Sequence, residues 1–390
     1  MSGPDGDEIW DVAVVGGGPA GMTAARAAAA AGARTVVLER AEHPRYKTCG
    51  GGLIGASVAA GAGHVDIPVR ERIDTVTFTH RGRWGVTRHT QAPMLAMVCR
   101  DEFDLALRKA ALEAGAVVRE HVTARAVASA DDHASVRLAD GTTVSARTVI
   151  GADGSSGVSA RYVGVTYDQV DLGLEVELPV TAAVGSRWRG RVLLDWGAIP
   201  GSYAWVFPKG DKLTVGVIAA RGAGDHTRAY LAGFVRRLGL ENLPAEQDSG
   251  HLTRCRSADS PLRRDHVLVA GDAAGLLEPW TREGISFALR SGALAGVAAA
   301  SGDPDAYERA VHRILVPEMA AGRRLHDAFA RRPAAFHAAV ATPPGWRAFV
   351  RLCRGDITSA GLAGHPGSRA AMAAIERLPA TRSAAPADER

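Results

Sequence analysis

The segment "IWDVAVVGGGPAGMTAARAAAAAGARTVVLER" constrains the fold more than any other part of this chain. It reads as an apolar strand, a glycine turn, an alanine-rich helix and a second apolar strand that ends at Glu39, which together make a βαβ unit. Gly16, Gly18 and Gly21 form GxGxxG between the strand and the helix. Glycines there permit the turn and let a pyrophosphate approach the backbone at the helix N-terminus. Glu39 stands twenty-three positions beyond Gly16. A carboxylate at that strand end accepts hydrogen bonds from ribose hydroxyls and repels a 2′-phosphate, so FAD or NAD is expected rather than NADP, with Arg40 beside it among the cofactor contacts. The bland reading is a glycine turn followed by a surface Glu.

Two later segments separate FAD from NAD. "VIGADGSSG" places Asp153 after a strand, and "VLVAGDAAGLLEPWTREGI" places Gly271 and Asp272 after another. Acidic side chains at such strand ends can bind ribityl hydroxyls, and a helix opening at Gly284 and Ile285 can aim backbone N–H groups at the pyrimidine carbonyl of a flavin. Each segment alone is also compatible with a tight turn and a capping Asp.

The rest of the chain alternates between these segments and β-rich ones. "IDTVTFTHRGRWGVTRHT" reads as two strands around an "RG" turn, and "RDEFDLALRKAALEAGA" as a helix. Asp101 is its expected N-cap, Phe103, Leu105, Leu107 and Leu112 its apolar surface, and Gly115 its stop. "DG" at 140–141 marks a hairpin. The fold class expected is α/β, a Rossmann-like FAD-binding GxGxxG lobe with an interleaved β-rich substrate lobe and a C-terminal helical segment. The FAD lobe is assigned to 9–70, 95–164 and 255–300, and the substrate lobe to 71–94 and 165–254. Helices with breaks at prolines are expected over 301–378, and a disordered tail over 379–390.

With 46 basic and 42 acidic residues in 390, no general nucleic-acid partner is indicated. Four scattered cysteines without CxxC spacing suggest neither a metal site nor a disulfide framework, and a reducing cytoplasm fits them. No signal peptide or spanning run of about 18 apolar residues is read, so a cytoplasmic protein is expected. Between Arg309 and Arg354 stand nine arginines and only two carboxylates, Glu318 and Asp327. Peripheral contact with the inner face of a membrane and plain packing of helices on the main body both account for that stretch.

Two motifs remain. "RYKTCGGGLI" sets Lys47 and Cys49 against Gly50, Gly51 and Gly52, and "YAWVFPKGD" puts Tyr203, Trp205 and Phe207 on one face of a strand that Pro208 can end. With the nucleotide segments, these two motifs make residues 9 to about 300 resemble the geranylgeranyl reductase family, FAD-dependent flavoproteins of the aromatic hydroxylase type. The C-terminal ninety residues match no motif of the family.

The resemblance implies that the Lys47–Gly51 loop lies beside the isoalloxazine ring, its glycines admitting the flavin, with Cys49 facing the substrate cavity. It implies that Arg100 contacts the pyrophosphate. The implied activity is saturation of carbon–carbon double bonds in a geranylgeranyl-type chain, by hydride transfer from reduced FAD and protonation of the other carbon, with Cys49, Tyr203 and Trp205 as catalytic candidates. Tyr203, Trp205, Phe207 and Lys209 are the substrate contacts, Lys209 meeting a charged head group or reaching solvent. The reductant is open among NADPH, NADH and a ferredoxin-type donor protein. An aromatic monooxygenase or halogenase is the alternative, although "YAWVFP" departs from the halogenase pattern WxWxIP. A non-catalytic FAD-binding protein, with an inert Cys49 and a purely structural aromatic strand, is the second.

Overall fold

The expected βαβ unit is the centre of the larger of two main sheets in the computed structural model, which describes residues 9–61 and 64–380. Strand Trp10–Val15 pairs in parallel with Thr35–Leu38 on one side and with Thr143–Gly151 on the other. Val117–Arg119 and Val267–Val269 extend the parallel core outward. All six residues of the first strand except its first two are buried, so its last four residues, Val12 to Val15, are apolar on both faces of the sheet rather than alternating. Helix Pro19–Ala30 packs against Ile285–Ser301 through small residues: a Cβ on Gly292 or Gly296 would run into the carbonyl oxygens of Ala20 and Ala24. Alanine and glycine at this contact let the two backbones approach closely. A larger residue would force them apart.

The second sheet is mostly antiparallel and has seven strands. Gln247–Arg256, Tyr167–Pro179, Lys212–Ala220, Tyr203–Pro208, Arg191–Trp196, Thr75–His80 and Arg83–His89 follow one another across it. Its long central strands come from 167–220, and the hairpin 75–89 is added at one edge by a parallel pairing with Arg191–Trp196. A three-stranded sheet of Gly52–Leu53, Leu95–Val98 and Val69–Ile73 lies between these segments in the chain and carries the glycine loop.

Several local expectations change. Cys99, not Asp101, is the N-cap of helix Arg100–Glu113, and it supplies no side-chain bond; Asp101 sits in the first turn. Phe103 and Leu107 are buried, but Leu105 and Leu112 are exposed, since the helix shows the core only one narrow face. Pro317, Pro333 and Pro343 open helices Val316–Arg331, Pro333–Ala341 and Pro343–Arg354, where the missing N–H costs nothing. Of the tail expected over 379–390, residues 381–390 lie outside the described residues.

Candidate functional site

The three motif glycines behave differently from one another. Gly16 has φ +102° and packs on the Ala152 carbonyl, while a Cβ on Gly21 would collide with the Gly16 carbonyl oxygen. Around Gly18 a Cβ would meet only Arg45 Nη2, at 3.8 Å. Gly16 and Gly21 therefore shape the turn, and Gly18 leaves a space in front of the helix N-terminus that fits a pyrophosphate. Glu39 accepts hydrogen bonds from Gly17 N at 2.5 Å and Ala41 N at 2.9 Å, so its carboxylate is held at the strand end where a ribose would lie. Arg40 is exposed beside it.

Arg45, which the sequence reading passed over, pairs with Asp104 at 3.4 Å and approaches Glu39 at 4.0 Å. Its guanidinium is the cation nearest the Gly18 space. The signal was its place at the head of the "RYKTCGGGLI" loop. Arg100 makes a bidentate pair with Asp104 at 2.8 and 2.9 Å. Burial works against its charge, but Asp104 and the Cys49 thiol raise its hold on the proton. Lys47 is pulled the other way, its ammonium lowered by burial and by Arg100.

Asp153 and Asp272 part company. Asp153 Oδ2 accepts Ser159 N at 3.0 Å, which makes it the anchor of helix Val158–Val163; its Oδ1 is buried without a partner, and burial raises the carboxyl. Asp272 follows the strand Val267–Val269 in the turn Gly271–Ala274. Although burial opposes it, His251 at 3.8 Å, Lys47 and Arg100 hold the Asp272 carboxyl below the usual range. Gly284 is the N-cap of Ile285–Ser301, whose seventeen residues end their dipole beside Asp272: a Cβ on Gly284 would lie 3.5 Å from Asp272 Oδ1. Glu283 just before it accepts Ser57 Oγ at 3.0 Å and Ser286 N at 2.6 Å, its other oxygen is unpartnered, and burial pushes the carboxyl up to about 7.

The glycine loop and the aromatic strand are in direct contact. A Cβ on Gly50 would stand 2.8 Å from Phe207 Cδ2 and 3.3 Å from Trp205 Nε1. Tyr203, Trp205 and Phe207 run as a ladder, with ring centroids 5.8 and 6.0 Å apart. Trp205 Nε1 is buried without a partner, whereas the Tyr203 hydroxyl donates to Thr281 O at 2.5 Å. The loop is clamped to the second sheet by charge. Glu175 Oε1 accepts Cys49 N at 2.7 Å, and Lys209 Nζ donates to Cys49 O at 3.2 Å and to Glu177 Oε1 at 3.2 Å. Lys209 is 1% exposed, which corrects the expectation that it reaches a head group or solvent. It is an internal clamp. The Cys49 thiol is half-buried and accepts Gly51 N at 3.4 Å.

Residues 10–189 match the FAD binding domain family. The menaquinone reductase of Mycobacterium tuberculosis is 32% identical over 317 residues, 74% of this chain and 76% of that protein. The chain belongs to the geranylgeranyl reductase family of FAD-binding flavoproteins.

Within that family, digeranylgeranylglycerophospholipid reductase 3 of Methanosphaera stadtmanae is 29% identical over 318 residues, 74% of this chain and 77% of its own length. The fold is shared with a geranylgeranyl bacteriochlorophyll reductase-like protein from Thermoplasma acidophilum, at a TM-score of 0.73 and 24% identity over 83% of this chain and 88% of that one. This family member is thus an FAD-dependent oxidoreductase. Among its described residues no three His, Cys, Asp or Glu side chains converge as a metal site, and no helix is long and apolar enough to cross a membrane.

Proposed function

We propose that the protein saturates carbon–carbon double bonds of a polyprenyl chain, either a geranylgeranyl group or the isoprenoid tail of a quinone. The observation that carries this reading is the aromatic ladder of Tyr203, Trp205 and Phe207 pressed against the Cys49–Gly51 loop. A wall of three rings with little polar equipment suits a hydrocarbon, where a polar aromatic substrate would call for placed donors and acceptors. Relatives named for reducing menaquinone and digeranylgeranylglycerophospholipid support it.

FAD, when bound and reduced, supplies the hydride. The chain would hold it through the space at Gly18, the carboxylates of Glu39 and Asp272, and the N-terminus at Gly284 and Ile285, with Arg45 and Arg100 as the cations that would meet its phosphates. Lys47 and the helix dipole bring positive potential to the Asp272 end, favouring negative charge there. An isolated alkene is a poor hydride acceptor, so a proton must be delivered to it in a dry pocket. The Tyr203 hydroxyl is committed to Thr281 O, and burial raises it further, so it serves as wall rather than acid. Trp205 offers an unpartnered N–H but no titratable proton. Of the two routes, the Cys49 thiol and water held near Tyr203, we assign the proton to the thiol, because it is held by Gly51 N and carried on a loop that meets the ladder and whose backbone Glu175 and Lys209 fix.

Anaerobic photoreduction followed by polyprenyl substrate tests this. Reoxidation of the flavin with gain of one H2 per bond in the product is expected. Hydroxylated product formed in air, or no reaction with any alkene, would refute it.

A further inference from the structure

The hairpin of Thr75–His80 and Arg83–His89 ends in a tip, Arg81–Gly85, that the site described above does not use. Trp84 in that tip is 68% exposed, the most exposed large apolar side chain among the described residues. Its ring stacks on His80, centroids 5.4 Å apart and planes 12° apart. Its φ is +49°, in the left-handed region that an L-tryptophan adopts only at a cost, with glycine on either side of the Arg83–Trp84 pair. A tip selected only for its turn would place Gly or Asn there. The tip is also held firmly: Gly82 N donates to buried Asp195 at 2.7 Å, Arg81 Nε to Gly197 O at 2.8 Å, and His337 Nε2 meets Trp84 O at 2.6 Å.

The exposed charge on the tip has one sign, since the carboxylate beneath it, Asp195, is fully buried and paired with Arg237. From residue 75 to 100 the chain has no carboxylate, and Arg81 and Arg83 are both exposed in the tip. The C-terminal end of helix Gly224–Arg237 comes alongside, since a Cβ on Gly82 would be 2.8 Å from Arg237 Nε, and Arg236 there is exposed. Helix Pro333–Ala341, which contacts the hairpin through His337 and through Arg88 to Ala341 O at 2.5 Å, lies within 328–355, a stretch of five arginines and no carboxylate.

We propose that this tip is an interfacial anchor that docks the protein on an anionic lipid bilayer, with the Trp84 indole in the headgroup layer and Arg83 and Arg236 against lipid phosphates. Tryptophan combines an apolar body with one N–H donor and concentrates at that depth of a membrane. Arginines near an anionic surface add to the attraction, and neither signal suffices alone. The pairing of a rigid exposed indole with a one-sign cationic rim is what favours a bilayer over a nucleic acid, whose backbone would need only the cations. The inference is independent of the substrate reading, because docking is measured on vesicles that contain no substrate.

The test is flotation of the full-length, FAD-loaded protein with phosphatidylcholine vesicles, with and without about one-third phosphatidylglycerol. Salt-sensitive flotation on the anionic vesicles alone is expected. Arg83→Ala with Arg236→Ala should weaken partition about 30-fold, from about 5-fold per arginine. Trp84→Ala should also weaken it, and should remove the part of the intrinsic fluorescence that brominated acyl chains quench. Because these side chains are exposed, flavin content and melting temperature should not move. Wild-type protein that stays at the bottom of the gradient, variants that float as the wild type does, or binding to heparin without bromolipid quenching would each overturn the proposal.

Discussion

Gly18 and Gly50 stand in two glycine loops of the same site, and an added Cβ would have opposite surroundings at each. Around Gly18 the nearest atom would be 3.8 Å away on a flexible arginine, while at Gly50 the Phe207 ring would be 2.8 Å away. The first glycine is needed for a space, the second for a contact. One loop is thus defined by what it leaves open for a ligand. The other is defined by what it packs against, namely an aromatic strand that reaches it from a different sheet. Identical residues in sequence carry different functions because the neighbours differ.

The largest expected effect breaks the first half of that comparison. Gly18→Val should raise the dissociation constant for FAD by about 1,000-fold or more, roughly 4 kcal/mol, while the melting temperature of the apoprotein is little changed. Flavin absorbance per chain and a thermal melt check it. A yellow, stoichiometrically loaded variant would mean the space at Gly18 is not where the pyrophosphate goes.

Next comes the residue that the second loop presents. Cys49→Ala should keep FAD and slow the anaerobic single-turnover reoxidation by about 100-fold to 10,000-fold if the thiol delivers the proton. Cys49→Ser keeps a donor of similar size and should fall between. Parental rates in both variants would leave the loop as packing alone.

Lys209→Met removes the clamp behind Cys49 and should cost about 3 kcal/mol in urea unfolding, since Glu177 loses its buried cation and keeps Lys212 at 3.3 Å and the Thr214 hydroxyl at 3.4 Å. The pH dependence has a definite sign. Despite burial, Lys209 and Lys212 hold the Glu177 carboxyl below its ordinary value. Its contribution is therefore present above the unfolded carboxylate range and lost as pH falls through the depressed folded value. The wild-type advantage over Lys209→Met should shrink on acidification below about pH 4. An advantage that grows instead would place the pair elsewhere in the energetics.

The smallest effect sharpens the second half of the comparison. Gly50→Ala should destabilise by about 2 kcal/mol through overpacking against Phe207. Combining it with Phe207→Leu should recover part of that loss in thermal melts. Additive losses would show that the two do not share the contact.

Much of the nucleotide-binding half was legible because its signals are local. A strand, a glycine turn and a helix are determined by residues within about thirty positions of one another, and so are the carboxylate at Glu39 and the hairpin at 140–141. The same locality explains the errors. Asp101 resembles a cap by composition, but the first helical residue is Arg100, and Leu105 and Leu112 fit a helical period while facing solvent.

What the amino-acid sequence determined by itself is the βαβ unit, the alternation of β-rich segments with nucleotide-binding ones along the chain, the glycine positions and the shared face of Tyr203, Trp205 and Phe207. Only the tertiary structure decided which of those features meet. It turned Lys209 inward onto Glu177 and the Cys49 carbonyl, committed the Tyr203 hydroxyl to Thr281, assigned Asp153 to a helix end, and brought Arg45 to Gly18. The reason is range. Backbone preference and periodicity act between neighbours in sequence, whereas burial and ion pairing act between neighbours in space, and Cys49 and Lys209 are 160 positions apart.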